Sequence, residues 1–184
     1  MNQGKSETAV FGGGCFWCTE AVFKSLKGVT AVDPGYTGGS VHNPTYEQVS
    51  NGDTGHVESI RIEFDPALIS YDDLLAVFFN THDPTTMNRQ GGDVGPQYAS
   101  AIFYDGDEQK IKAAALIKEL GDSHAYGEGK AIVTALKPLG DFYPAEDYHR
   151  NFYETHKDSP YCELVIAPKL EKLQKKFAEL LKAQ

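Results

Sequence analysis

Apolar and polar positions along the chain alternate between a two-residue rhythm and the wider spacing of amphipathic helices. A short apolar run, residues 8–11, reads as a strand that ends at Gly12, Gly13 and Gly14. From Cys15 to about Leu26 the rhythm is helical, with Cys15, Cys18 and Val22 on one face. Residues 29–36 are extended, after which Gly38-Gly39, Asn43-Pro44 and Asn51-Gly52 break the chain. Residues 56–64 alternate as a strand, with Glu58 on the same face as Ile60, Ile62 and Phe64. The opposite face carries Val57, Ser59, Arg61 and Glu63. Helices are predicted over 71–80 and about 108–120, and strands over 98–104 and around 131–136. Asp141-Phe142-Tyr143-Pro144 is predicted to open an acidic, Tyr-rich helix. Residues 168–182 form an amphipathic segment with Leu170, Leu173, Phe177 and Leu180 on its apolar stripe, which favours core packing over a membrane surface. Mixed strands, helices and hairpin-like turns give an α+β class.

The chain shows no internal repeat and no linker, so its 184 residues predict a single domain over 1–184. Composition narrows the function classes. No stretch approaches the roughly 20 apolar residues of a membrane span. The first seven residues lack the basic and then apolar regions of a secretory signal, which predicts a cytoplasmic protein. A formal net charge of −9 argues against nucleic-acid binding. The three cysteines, Cys15, Cys18 and Cys162, are too few and odd in number for a disulfide scaffold. They point to reactive thiols in a reducing compartment.

A strand, three glycines and then Cys15 put that thiol at the first turn of a helix, where unpaired N–H groups and the helix dipole favour an anion. Both push a cysteine toward the nucleophilic thiolate. Phe16 and Trp17, the only tryptophan, set aromatic surface beside the sulfur. A lone cysteine is more often a small buried hydrophobe. Cys15 and Cys18 could be half a zinc site, but the one remaining cysteine has no partner pair. They could also be the pair of a thioredoxin-like thiol–disulfide oxidoreductase, which leaves the other polar motifs unused.

Those motifs are Gly14-Cys15-Phe16-Trp17, Gly35-Tyr36-Thr37-Gly38-Gly39, Asn43-Pro44-Thr45-Tyr46 and Gly55-His56-Val57-Glu58. They continue with His82-Asp83-Pro84, then Gln90-Gly91-Gly92-Asp93-Val94-Gly95-Pro96-Gln97-Tyr98, and Tyr143-Pro144-Ala145-Glu146-Asp147-Tyr148-His149. In this order, from about Ala9 to Cys162, the chain resembles the A-type peptide methionine sulfoxide reductases. The resemblance implies a two-layer α/β sandwich with a ferredoxin-like core. It implies reduction of the S-epimer of methionine sulfoxide, free or in proteins, with thioredoxin or a similar dithiol as reductant. No metal or organic cofactor is required.

Residue by residue, the resemblance makes Cys15 the nucleophile and Glu58 the acid. Glu58 fits independently, because a carboxylate on an apolar strand face is poorly solvated and keeps its proton. Tyr46 and Tyr98 match donors to the sulfoxide oxygen, Phe16 and Trp17 match the pocket for the substrate methyl, and Asp93 matches a supporting residue. Glu146 and His149 fall in a further motif that surface helix polarity explains equally well. The sequence departs from the family where Cys18 replaces a common glycine. It departs again around Cys162, where the segment Ser159-Pro160-Tyr161-Cys162-Glu163 lacks the glycines of a mobile tail. A stiff surrounding counts against Cys162 as the resolving thiol, and Cys18, one helical turn from Cys15, is favoured. The turn still has to relax to admit an S–S bond.

Overall fold

A computed structural model describes residues 5–183. Residues 1–4 of the N-terminal segment read for targeting lie outside them. The chain begins with strand β1 (Glu7–Gly13), helix α1 (Phe16–Lys24), strand β2 (Val29–Thr37), the short helix α2 (Tyr46–Ser50), strand β3 (Val57–Phe64) and helix α3 (Tyr71–Thr81). A small hairpin follows, β4 (Arg89–Gln90) and β5 (Asp93–Val94), then β6 (Ser100–Tyr104) and helix α4 (Asp107–Asp122). Strands β7 (Ala135–Pro138) and β8 (Phe142–Pro144) and helices α5 (Phe152–Thr155) and α6 (Ala167–Lys176) complete it.

Six strands form one sheet in the order β7-β6-β1-β3-β2-β8. Neighbours are antiparallel, except that β7 joins β6 in parallel. The fold is therefore α+β, a mixed sheet with helices. Period two puts Ile60, Ile62 and Phe64 of β3 into the main core with Phe11, Phe23, Leu74 and Phe78. The Phe11 and Phe78 rings stack at 4.9 Å and tie β1 to α3. The other face of β3 is covered at its start, where Val57 joins Val10, Ala101 and Phe103 in a second cluster. Among the described residues no helix is long and apolar enough to cross a membrane.

Helix α3 is held at its start by a reciprocal capping box. Ser70 Oγ accepts from Asp73 N at 3.0 Å, and Asp73 Oδ2 accepts from Ser70 N at 3.0 Å. Ser70→Ala is expected to lower stability by about 1 kcal/mol, read as a lower urea midpoint; an unchanged midpoint contradicts this.

Several predicted elements are corrected. Residues 141–144 do not open a helix. Phe142–Pro144 is the edge strand β8, whose partner β2 offers an open row of backbone groups. A proline is tolerated at such an edge. Gly35 is required for this docking, since a Cβ there would sit 2.5 Å from the Tyr143 carbonyl oxygen. The strand placed around 131–136 is shifted to Ala135–Pro138, because Val133 N is instead bound to Pro84 O at 2.8 Å. Tyr98 precedes β6 in a 3₁₀ turn, Pro96–Tyr98. The helix over 168–182 ends at Lys176, after which Leu181 bridges to Leu26 and the chain closes along the end of α1. The hairpin Arg89–Val94 and the helix at Tyr46 carry too few residues for a periodic signal.

Candidate active site

The turn from β1 into α1 carries Cys15 and Cys18, two of the three free cysteines. Gly14 makes it, at φ +90°, a conformation that side chains disfavour, and a Cβ there would lie 2.6 Å from Gln90. Cys15 is the N-cap of α1, and its carbonyl accepts from Cys18 N at 3.1 Å. Cys15 is only 8 % exposed and Cys18 is buried beside it. The two thiols lie in one buried cluster, close enough for each to influence the other's ionisation.

The first free N–H of α1, on Phe16, does not serve the Cys15 sulfur. It donates to Glu58 Oε2 at 3.1 Å. The thiolate expected at a helix start is accordingly not the resting form. Burial pushes the Cys15 thiol well up, with the Cys18 hydrogen bond and the Glu58 charge adding to it. Cys18 is the easier of the pair to ionise, helped first by the Cys15 hydrogen bond, and then by the Tyr161 hydroxyl and the Lys169 charge.

Glu58 lies on the core face of β3, as its alternation requires, and is 2 % exposed. Burial pushes its carboxyl up to about 8, against the Phe16 hydrogen bond, with the Asp93 and Cys18 charges reinforcing burial. It is a neutral acid at pH 7. Tyr98 packs against the cysteine cluster, and Tyr46, at the first position of α2, lies over His149 with ring centroids 4.5 Å apart. Burial and the Glu58 charge push both phenols up, so both remain neutral donors.

Phe16 is fully buried, 5.0 Å from His149 and 5.7 Å from Tyr36 between ring centroids. Trp17 is half-buried and stacks flat on Phe152 at 3.7 Å. The Trp17 indole N–H donates to His149 Nδ1 at 3.0 Å. His149 is completely buried, and Glu146 accepts from the Tyr36 hydroxyl at 2.9 Å and from Tyr46 N at 3.0 Å. Surface helix polarity therefore does not describe this pair. Glu146 sets the start of α2, and His149 fixes the Trp17 ring. The motif at 143–149 was their only sequence signal, since burial of a histidine cannot be read from one chain.

Asp93, from the hairpin, accepts from the Tyr161 hydroxyl at 3.0 Å. Cys162 begins a wide π-type turn, Cys162–Ile166, that leads into α6. The surrounding is helical and packed, as the missing glycines suggest. It nonetheless brings Cys162, fully buried, into one cluster with Cys15 and Cys18. A cleft of about 450 Å³ reaches Cys15 and Cys18 between the hairpin and this turn, lined also by Gly92, Asp93, Tyr161 and Lys169. Glu58, Tyr46 and Tyr98 do not line that cleft; Glu58 is held on the amide of Phe16, next to Cys15, and Tyr98 packs against the cysteine cluster. Tyr161 and Lys169 were not singled out from the sequence, where neither stands apart from nine other tyrosines or a lysine-rich helix.

A buried thiol at a helix start, a second thiol one turn on and a neutral carboxylic acid beside them define a thiol-dependent redox site on an α+β scaffold. The comparisons with known proteins narrow that class. Residues 7–181 match the family model described as peptide methionine sulfoxide reductase. A peptide methionine sulfoxide reductase MsrA of Sulfolobus acidocaldarius is 56 % identical over 94 % of this chain and 96 % of its own. The structure is similar to methionine sulfoxide reductase A of Corynebacterium diphtheriae, with TM-score 0.80 at 33 % identity over 85 % of this chain and 77 % of that one. It is also similar to reduced Mxr1 of Saccharomyces cerevisiae, with TM-score 0.79 at 30 % identity over 88 % and 91 % of the two chains. The chain belongs to the peptide methionine sulfoxide reductase family.

Proposed function

We propose that this protein reduces the S-epimer of methionine sulfoxide, free or in proteins, to methionine. The single observation that carries the mechanism is the Glu58 carboxyl, buried and held on the amide next to Cys15, where burial pushes it up to about 8. Sulfoxide reduction needs a nucleophile for sulfur and a proton for oxygen. Cys15 sulfur attacks the sulfoxide sulfur, and Glu58 protonates the oxygen while the thiol proton returns to the carboxylate. The oxygen passes to Cys15, leaving sulfenic acid and methionine. Tyr46 and Tyr98 hydrogen-bond the oxygen as its charge changes. Phe16 and Trp17 form the wall for the substrate methyl, and Asp93 supports the site from the hairpin.

A second thiol then condenses with the sulfenic acid, forming a disulfide and water, and thioredoxin or a similar dithiol restores both thiols. Cys18 is the favoured resolving thiol and Cys162 the alternative. The three buried thiols suit a reducing, cytoplasmic setting. Residues 1–184 are read as one domain. The central order β6-β1-β3-β2, with α1 and α3 as crossovers, supports a two-layer sandwich with a ferredoxin-like core.

The test is one anaerobic cycle with methionine sulfoxide and no reductant. One methionine per protein is expected, with loss of two thiols. In Cys18→Ser, loss of one thiol supports Cys18 as the resolving residue, whereas continued loss of two assigns that role to Cys162. A thiol–disulfide oxidoreductase would reduce insulin disulfides and release no methionine.

A further inference from the structure

The Cys18 sulfur stands at one end of a hydrogen-bonded chain that sulfoxide reduction leaves unused. Its Sγ lies 3.3 Å from Tyr161 Oη, and Tyr161 Oη donates to Asp93 Oδ2 at 3.0 Å. A phenol has one proton, and a carboxylate is the stronger acceptor. The Tyr161 proton therefore goes to Asp93, and the phenol oxygen accepts from the Cys18 thiol. Lys169 reaches the same sulfur electrostatically from α6, with its Nζ tethered to Thr81 O at 2.8 Å. The titratable groups facing Cys18 are Cys15 on its own helix, Glu58 from β3, Asp93 from β5, and Tyr161 and Lys169 from the C-terminal helical segment. Cys162 packs in the same cluster, yet among the described residues no hydrogen bond of this kind reaches its sulfur.

We propose that Tyr161 and Asp93 form a proton relay that makes Cys18 the thiol resolving the Cys15 sulfenic acid, an inference that rests on the reductase reading above. Two protons shift together: the Cys18 proton moves to Tyr161 oxygen as the Tyr161 proton moves to Asp93. Burial holds the phenol far from ionisation, so tyrosine passes the proton without becoming a free phenolate. The resulting thiolate is stabilised by Lys169 and by the hydroxyl now donating to it. It attacks Cys15 sulfur, an S–S bond forms and the S–O bond breaks. The departing oxygen takes a proton from Glu58 and leaves as water, while Cys18 sulfur is oxidised and Cys15 sulfur reduced. Asp93 then releases its proton to the cleft it lines, and Glu58 regains the proton it gave from solvent before the next cycle, so the protons balance.

The readout is the lifetime of the sulfenic acid, followed by dimedone trapping and mass spectrometry beside methionine release in the same single cycle. Tyr161→Phe keeps the ring that packs edge-on against Trp17 and removes the relay. It should slow disulfide closure at least about 100-fold more than it slows methionine release, the lower end expected for general base catalysis. Closure in the variant should rise with pH as hydroxide replaces the relay, whereas wild-type closure stays nearly flat from about pH 6 to 8. Asp93→Asn should give the same pH signature, and Tyr161→Phe should have no further effect in a Cys18→Ser background. Closure in Tyr161→Phe at the wild-type rate and with the wild-type pH dependence would overturn the relay. An additive effect in Cys18→Ser would overturn it too, since Tyr161 would then act elsewhere. If wild type releases no methionine, the reductase reading fails; closure is then read after one equivalent of hydrogen peroxide, which forms the same sulfenic acid.

Discussion

Glu58→Gln is expected to lower the rate of methionine release by about 10²–10⁴-fold, the range that a positioned general acid contributes. Glutamine keeps the volume and can still accept from Phe16 N, so what is lost is the proton. The wild-type rate should also carry the signature of this acid. With the carboxyl pushed up to about 8, it is protonated below that pH and ionised above it. Release should be steady through neutral pH and fall as pH rises through about 8, measured in a single cycle that isolates the first step. In Glu58→Gln that falling limb should be gone. A variant with near-wild-type release, or one that keeps the limb, removes Glu58 from the chemistry.

The same variant should be more stable than the wild type in alkaline solution. An unfolded glutamate ionises near 4.5, whereas folded Glu58 holds its proton to about 8. Between those values the folded state binds the extra proton, so stability falls as pH rises. At 1.36 kcal/mol per pH unit the loss approaches roughly 5 kcal/mol by pH 8 and is then constant. Below about 4.5 the penalty is absent, because both states are protonated. Glu58→Gln escapes this cost, and its gain should be about 3 kcal/mol or more at pH 7 and above, and vanish at about pH 4. Urea midpoints of the two proteins across that range check it. Parallel curves would mean that Glu58 is not held neutral by burial. Opposite signs for activity and stability are what a buried acid kept for chemistry should give.

Much of the frame follows from local pattern. Long periodic segments such as 56–64 and 71–80 were legible because one face of each had to leave water. Short elements were not. Strand β8 is set by the open edge of β2 and the room that Gly35 leaves, neither of which marks residues 142–144 themselves. Glu58 could be read as a neutral acid because its own alternation placed it among Ile60, Ile62 and Phe64. His149 could not, since its burial depends on Phe16, Trp17 and Tyr46 converging from distant segments.

The turn of Gly14 into Cys15, with Cys18 one turn on, was decided by the sequence alone, because glycine freedom and helix spacing act over a few residues. The charge state of those thiols was decided by tertiary structure. A helix start by itself favours a thiolate, but here Glu58 takes the Phe16 amide and burial removes the solvent that would stabilise the anion. The placing of Tyr161, Asp93 and Lys169 around Cys18, and of Cys162 beside it, was likewise tertiary. Hydrogen bonds between segments some 70 to 140 residues apart leave no local periodicity to read.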